Sequence, residues 1–215
     1  MGSWLALLLV AALLGGTAIG CRSVYYSTYE KFGVYKRDLL KKRVIEARDD
    51  QQAAQLQFKD TLTRLKEITH FDGGAAEQAY DSLNTEYKSC VKRADAVSAR
   101  IRAVESVSQD LFAEWDRENN EISSPALRES SAQQLAAAKQ RYDDLHKALV
   151  KAEQTMPPVL RQFKDYVIYL KHNLNAQAIS SLQGESVSIQ TEIGKLIEQM
   201  NQSIARADEY VQTMQ

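Results

Sequence analysis

A long heptad pattern between residues 75 and 119 constrains the fold of this chain more than any other feature. Apolar side chains recur there at alternating steps of three and four residues over five heptads, which is the pattern of a helix that packs along other helices. We therefore expect one long helix over residues 75–119, with Cys90 buried in its seam as a small hydrophobic side chain. The seam, in which only Ser108 is polar, comprises Tyr80, Leu83, Tyr87, Cys90, Ala94, Val97, Ile101, Val104, Ser108, Leu111 and Trp115.

Three further segments carry the same kind of pattern, and glycine and proline mark their boundaries. Gly73-Gly74 is predicted to end the first helix, and Ser124 is predicted to cap the third, with Pro125 in the first helical position. Short turns that join long helices favour an all-α fold, an elongated antiparallel helical bundle or coiled coil of three to four long helices. The additional helices are expected over about residues 24–69, 125–156 and 158–211.

Two adjacent prolines, Pro157 and Pro158, separate the third and fourth predicted helices. Each ring removes a backbone donor and clashes with the preceding turn, and Pro158 pushes Pro157 out of the α region. The apolar seam nevertheless continues in phase beyond them. We expect a sharp turn at the prolines, with a kinked but continuous helix as the alternative.

Two of the predicted seams are imperfect. In the first helix, Gln51 occupies a seam position between Ala47 and Ala54. In the last helix, the apolar positions shift by one residue after Met200, so that Ile204 is expected to continue the seam. We expect the core of the bundle to run through both places.

Residues 4–20 are apolar or small throughout, and polar sequence follows them. The run is shorter than the roughly 20 residues of a membrane-spanning helix, and a small residue precedes Cys21, as in a secretory signal peptide. It resembles the leader of bacterial lipoproteins, although Ala18 stands where leucine is usual and residues 1–3 hold no lysine or arginine. The resemblance implies that residues 1–20 are removed and that the Cys21 thiol is acylated. From the heptad pattern we expect residues 21–215 to form a single elongated helical-bundle domain. An uncleaved N-terminal anchor helix is the alternative.

Charge and cysteine content restrict the classes of partner. The chain has 27 basic and 28 acidic residues, and this balance does not favour a nucleic-acid partner. If Cys21 carries lipid, Cys90 has no cysteine to pair with, and no intramolecular disulfide is expected. Bacterial lipoproteins retained in the inner membrane often have aspartate after the acylated cysteine, whereas this chain has Arg22. We therefore expect anchoring in the outer membrane, with the body of the protein facing the periplasm.

A basic segment begins soon after Cys21. On a helix it would lie close to a lipid anchor, where each basic side chain near an anionic surface contributes about 1 kcal/mol. The segment is therefore a candidate contact for a membrane or a polyanion. The alternative is a solvated helix face that is balanced by Glu46, Asp49 and Asp50 on the following turns. The candidate residues are Lys36, Arg37, Lys41, Lys42 and Arg43.

A second polar segment lies around residue 172, next to the predicted seam residues Leu170 and Leu174. An imidazole and an amide beside the core could form hydrogen bonds between helices and so fix their register. A site for a ligand or a partner is the alternative. The candidate residues are Lys171, His172, Asn173 and Asn175.

The sequence contains no pattern typical of catalysis or metal binding. His70, His146 and His172 are far apart, and neither a CxxC nor an HExxH spacing occurs. The chain also lacks a GxSxG nucleophile motif and a glycine-rich phosphate loop. We therefore expect no enzyme activity, no metal and no cofactor.

Several short motifs occur along the chain after the leader. They are Tyr25-Tyr26 with Glu30-Lys31-Phe32-Gly33, Lys36-Arg37-Asp38, Arg43-Val44 with Glu46-Ala47-Arg48, and the segment from Leu170 to Ala176. Together these motifs resemble the bacterial domain-of-unknown-function family 2959, and the resemblance covers essentially the whole chain after the leader. It implies a small lipoprotein or secreted protein of Gram-negative bacteria. The family carries no activity that could be transferred.

Two functions are consistent with these features. The first is a membrane-tethered envelope lipoprotein that acts as a structural or protein-interaction coiled-coil module, without catalysis. Its partners would be the membrane, through lipidated Cys21, and either an unknown envelope protein or a second copy of the chain. The alternative is a helical module that binds a lipid, a peptidoglycan fragment or another small molecule, in a groove near His172 and Asn173 or beside the basic segment.

Overall fold

The structure, a computed structural model, describes residues 35–69 and 76–214. Within these ranges the chain is all-α, with four helices and no strand. The predicted signal peptide, Cys21 and the Gly73-Gly74 turn lie outside the described residues. The helices, numbered here in chain order, are α1 (Lys36–Thr69), α2 (Ala76–Glu121), α3 (Pro125–His172) and α4 (Ala176–Thr213).

The chain divides into two compact units, Met1–Leu39 and Leu40–Gln215. In the first unit the structure describes Tyr35–Leu39, where the amide of Leu39 donates to the carbonyl of Tyr35 at 3.0 Å. All packing described below belongs to the second unit.

The core face of α2 follows the predicted heptad seam. The flanking seam positions Tyr80, Tyr87, Leu111 and Trp115 are partly buried. A seam at heptad spacing places its side chains on one helix face, and burying each large apolar side chain stabilises the fold by about 1.5–3 kcal/mol. The buried seam residues are Leu83, Cys90, Ala94, Val97, Ile101, Val104 and Ser108.

Helix α3 begins as predicted. Ser124 has extended backbone angles, and its side chain accepts from the amide of Leu127 at 3.5 Å. Pro125 follows in the first helical position, where its missing N–H costs no intrahelical hydrogen bond.

The predicted turn at Pro157-Pro158 is wrong, because α3 continues through both prolines to His172. The side chains on the two sides of the prolines bury one continuous face, with Met156 1% exposed and Val159 and Phe163 fully buried. Burial of these three side chains, at about 1.5–3 kcal/mol each, offsets the cost of about 3 kcal/mol for each of the two prolines inside the helix. The helices predicted over 125–156 and 158–211 are therefore replaced by α3 and α4.

The boundary between α3 and α4 lies at residues 173–175 instead. The Asn173 amide donates to the carbonyl of Leu170 at 3.1 Å, and its side-chain Nδ2 donates to the carbonyl of Tyr169 at 3.0 Å. The Asn175 side-chain oxygen accepts from the amide of Ala178 at 2.9 Å, as an N-cap of α4. The two asparagines thus satisfy backbone groups that helix ends leave without partners.

The seam of α4 does not shift after Met200, contrary to the prediction. Ser203, Ala207 and Tyr210 continue it at steps of three, four and three, while Ile204 is only partly buried. Burial raises the pKa of the Tyr210 hydroxyl to about 12. The seam thus continues through the hydroxyl side chain of Ser203 and the ring of Tyr210, whereas the prediction had continued it through the aliphatic side chain of Ile204.

Candidate functional site

Charged and amide side chains connect α1 to α2. Arg100 on α2 donates from Nε to Oδ2 of Asp50 at 2.7 Å and from Nη1 to Oε2 of Glu46 at 2.9 Å. Nearer the end of α1, Gln57 donates from Nε2 to Glu86 Oε2 at 2.7 Å. Residues further along α1 therefore contact residues earlier in α2.

The same order holds between α1 and α4. Arg48 donates from Nη1 to Oδ1 of Asp208 at 2.7 Å. About two turns further along α1, Gln55 donates from Nε2 to Oδ1 of Asn201 at 2.7 Å and to the carbonyl of Ile197 at 3.2 Å. Helix α1 is therefore bonded to both α2 and α4.

Aromatic and polar side chains connect α2 to α3. His146 Nε2 lies 2.6 Å from Oε1 of Glu105, and its ring stacks on Tyr142 with centroids 5.7 Å apart. Tyr142 in turn meets Phe112 edge to face at 5.5 Å, and burial raises the pKa of its hydroxyl. Towards the end of α2, the indole of Trp115 donates to the Ser131 hydroxyl at 3.0 Å.

Between α3 and α4, the hydroxyl of Tyr166 donates to the carbonyl of Glu185 at 3.1 Å. Burial raises the pKa of this hydroxyl as well. Together with the contacts above, each of the four helices is bonded to two others. These contacts fasten the helices to one another.

The residues of the basic segment fall on the first two turns of α1. Arg37 and Lys42 are exposed, whereas Lys36, Lys41 and Arg43 are partly buried. Of the three carboxylates expected to balance the segment, Glu46 accepts from Arg43 at 2.8 Å. The other two have different partners: Asp49 pairs with Arg48, and Asp50 pairs with Arg100.

The second candidate set comes together at the α3–α4 turn. Lys171 and His172 are exposed, and so is Asn175. The predicted hydrogen bonds between helices are wrong for the asparagines, because Asn173 and Asn175 bond to the backbone of the helix ends on which they lie. Leu174, predicted as a seam residue, is 49% exposed, since the helix ends before it.

Cys90 is fully buried, as the heptad seam predicts. Its sulfur lies 3.2 Å from the hydroxyl of Thr61 on α1. Burial raises the pKa of the Cys90 thiol to about 12, so the thiol stays protonated at neutral pH. The thiolate is the nucleophilic form of cysteine, and burial disfavours that form at Cys90.

A pocket of about 70 Å³ lies between α3 and α4. Arg141 and Asp144 line it from α3, and Arg206 and Tyr210 line it from α4. Pockets that hold drug-sized ligands are about 300–1,000 Å³ in volume, so this one admits only a few atoms. The small-molecule alternative expected a groove near His172 and Asn173 or beside the basic segment, and the pocket is distant in sequence from the first of these places.

Neither a metal site nor a membrane-spanning helix is found in the described parts of the chain. No group of three or more His, Cys, Asp or Glu side chains within residues 35–69 and 76–214 is arranged to hold a metal ion. Among the helices in the same ranges, none combines the length and the apolar character needed to cross a bilayer.

Two fully buried polar side chains without hydrogen-bond partners in the described chain lie in the apolar seams, and the sequence identified one of them. The side chains of Gln51 and Ser203 are fully buried, and their polar atoms have no hydrogen-bond partner in the protein. Gln51 was visible as a polar residue in an apolar seam. Ser203 was missed because the seam of α4 was assigned the wrong phase.

Comparison with known proteins identifies a family. Neither the curated proteins nor the solved structures contain a match to the chain. A family model described as "Protein of unknown function (DUF2959)" matches residues 25–214, which include all four helices. The resemblance seen in the sequence motifs is thereby confirmed, and the chain belongs to the DUF2959 family.

Proposed function

We propose that this protein is a membrane-tethered lipoprotein of the bacterial cell envelope that acts as a structural or protein-interaction module. Its four long helices form an antiparallel coiled-coil bundle. The observation that carries the proposal is the order of the cross-helix contacts, in which residue numbers rise along α1 as they fall along α2 and α4. Such contacts give a stable side surface on long helices, which is what a spacer or a docking module requires.

The module carries out no catalysis. Support comes from ionisable side chains that fasten helices to one another, as in the pairs of Arg100 with Asp50 and of Arg48 with Asp208. The buried thiol of Cys90 supports the same conclusion, because its raised pKa removes it as a nucleophile.

A lipidated Cys21 tethers the chain to the outer membrane, and the helices face the periplasm. The basic residues at the start of α1 add contacts with anionic headgroups. Arg37 and Lys42 are best placed for this role, because both are exposed. Each such contact contributes about 1 kcal/mol and weakens with salt, so the basic residues assist the lipid and cannot replace it.

Photo-cross-linking in intact cells tests the interaction role. A photoreactive residue is placed singly at three exposed apolar positions on different helices: Leu56, Leu127 and Val187, which are 58%, 65% and 68% exposed. We expect at least one position to give a product of a single defined mass, from either a second copy of the chain or one envelope protein. The product should disappear when an adjacent exposed residue on the same helix is changed to glutamate.

The matched control places the photoreactive residue at Leu149, which is fully buried. That variant should react only within its own chain. If the exposed positions also give no specific intermolecular product, in cells that contain the tethered protein, the proposed interaction role is wrong.

A further inference from the structure

The core between α1 and α4 contains two polar side chains that the protein itself does not satisfy. Gln51 is fully buried, and neither its Oε1 nor its Nε2 has a hydrogen-bond partner. Ser203 is also fully buried, and its Oγ has none. Buried polar groups in folded proteins are nearly always paired with protein or with internal water, so these three atoms require an explanation.

The two side chains lie at the same level of the helix pair. The contacts of Arg48 with Asp208 and of Gln55 with Asn201 bracket them on both sides. Interpolation between these contacts places Gln51 and Ser203 two residues apart in register. At 1.5 Å per residue they are about 3 Å apart along the axis, on helices whose axes are typically about 8–10 Å apart.

Three of the seam neighbours of these residues are alanines. Ala47 and Ala54 are the buried neighbours of Gln51 along the seam of α1, and Ser203 lies between Met200 and Ala207 along the seam of α4. None of these side chains carries an N–H or O–H group that could pair with Gln51 or Ser203. A polar partner in a buried core must be small and must both donate and accept hydrogen bonds, and water is the molecule that meets these conditions.

We propose that Gln51 and Ser203 hold an internal water molecule between α1 and α4, and that this hydrated polar layer fixes the register of the two helices. The water molecule accepts a hydrogen bond from Gln51 Nε2 and donates one to Gln51 Oε1, and it forms a third hydrogen bond with Ser203 Oγ. A shift of one heptad would place the glutamine against an apolar layer, with its amide unpaired. The polar layer therefore disfavours alternative alignments, as a buried asparagine does in a coiled coil. This inference does not depend on the proposed envelope function.

Magnetic resonance of the ¹⁵N-labelled full chain tests the hydration directly. The side-chain amide of Gln51 is assigned by its loss in Gln51→Leu. We expect nuclear Overhauser cross-peaks between these amide protons and water, with the sign that long-lived internal water gives. Gln133, which is exposed, is the control and should show the sign typical of surface water. A Gln51 amide without the signature of long-lived water would overturn the proposal.

A double-mutant cycle tests whether the two residues share a partner. Ser203→Ala in the natural chain should raise the unfolding equilibrium constant about fivefold, because one partner of the water is lost. In the Gln51→Leu background this destabilising effect should largely vanish. The control cycle combines Gln51→Leu with Ser108→Ala. Ser108 is a buried seam serine on α2 that bonds to the carbonyl of Glu105, so the control effects should add. Additive effects for the pair of Gln51 and Ser203 would contradict a shared water.

Discussion

Arg100 on α2 donates a hydrogen bond from Nε to the carboxylate of Asp50 on α1, with the two atoms 2.7 Å apart. The same guanidinium reaches Glu46 one turn earlier in α1. The pairs are partly exposed, with the Arg100 side chain 39% accessible, so water screens part of their energy. Their importance is that one planar group joins two positions of the neighbouring helix at a fixed register.

Replacement of Arg100 should therefore destabilise the protein measurably. We expect Arg100→Ala to lower the free energy of unfolding by about 1 kcal/mol, because two charge-assisted contacts are lost together. Urea denaturation at low and high salt measures the effect, which should shrink at high salt. The control is Arg64→Ala, which removes an exposed pair within α1 and should have almost no effect. Equal losses of unfolding free energy in the two variants would show that the cross-helix geometry of Arg100 contributes nothing to stability.

The buried thiol predicts a pH dependence of stability. Burial raises the pKa of Cys90 from 9.0 to about 12, so the unfolded chain loses this proton above pH 9 while the folded protein keeps it. Stability should thus be unaffected by this group below pH 9 and fall above it, by at most about 1.4 kcal/mol per pH unit. Urea midpoints between pH 8 and 10 should decline less steeply in Cys90→Ala. Both proteins carry Cys21→Ser, so that Cys90 is the one thiol compared, and parallel declines would contradict the prediction.

The prolines inside α3 should cost stability. In a continuous helix, Pro158→Ala restores a backbone donor and removes a steric clash, whereas in a turn it would remove a favourable restraint. We expect Pro158→Ala to raise the free energy of unfolding by about 1–2 kcal/mol, after the entropy gained by the unfolded chain is subtracted. Pro125→Ala is the control, because Pro125 lies at the first position of α3 and should not be improved by alanine. A destabilised Pro158→Ala variant would favour a turn at residues 157–158.

The α3–α4 boundary predicts a capping effect at Asn175. Asn175→Ala removes the side-chain oxygen that accepts from Ala178, and it should lower the free energy of unfolding by about 1 kcal/mol. Asn175→Ser keeps an acceptor and should retain most of the stability. His172→Ala changes an exposed side chain and should have little effect. Thermal unfolding of the three variants measures this, and a larger loss for His172→Ala than for Asn175→Ala would contradict the capping assignment.

Heptad periodicity was sufficient to predict the core face of α2, from Leu83 to Ser108, because burial there depends on the spacing of side chains along one helix. The start of α3 at Ser124 and Pro125 could also be predicted, because a helix cap depends only on residues that are adjacent in the chain. The family assignment also followed from sequence, through short motifs that the family model confirms over residues 25–214.

The helix boundary near Pro157 could not be predicted, because it depends on a competition between local and tertiary terms. Local sterics favour a break at the prolines, and burial of Met156, Val159 and Phe163 outweighs them. Asn173 and Asn175 are of a type that often caps helix ends, and they mark the true boundary. Asparagine side chains also form hydrogen bonds between helices, so the residue type did not decide between the two roles. Cross-helix partners such as Arg48 and Asp208 are 160 positions apart, and no pattern within one helix identifies them.

The central claim, a lipid-tethered envelope module, is tested most directly by palmitate labelling and fractionation of cells that express the natural chain or Cys21→Ser. Cys90→Ser is the control and should keep the label, because its thiol is buried in the core. We predict that the natural chain is labelled, lacks residues 1–20 and sediments with membranes, and that Cys21→Ser is unlabelled and leaves the membrane fraction. A Cys21→Ser protein that stays in the membrane with residues 1–20 attached would contradict lipidation and identify an uncleaved anchor helix.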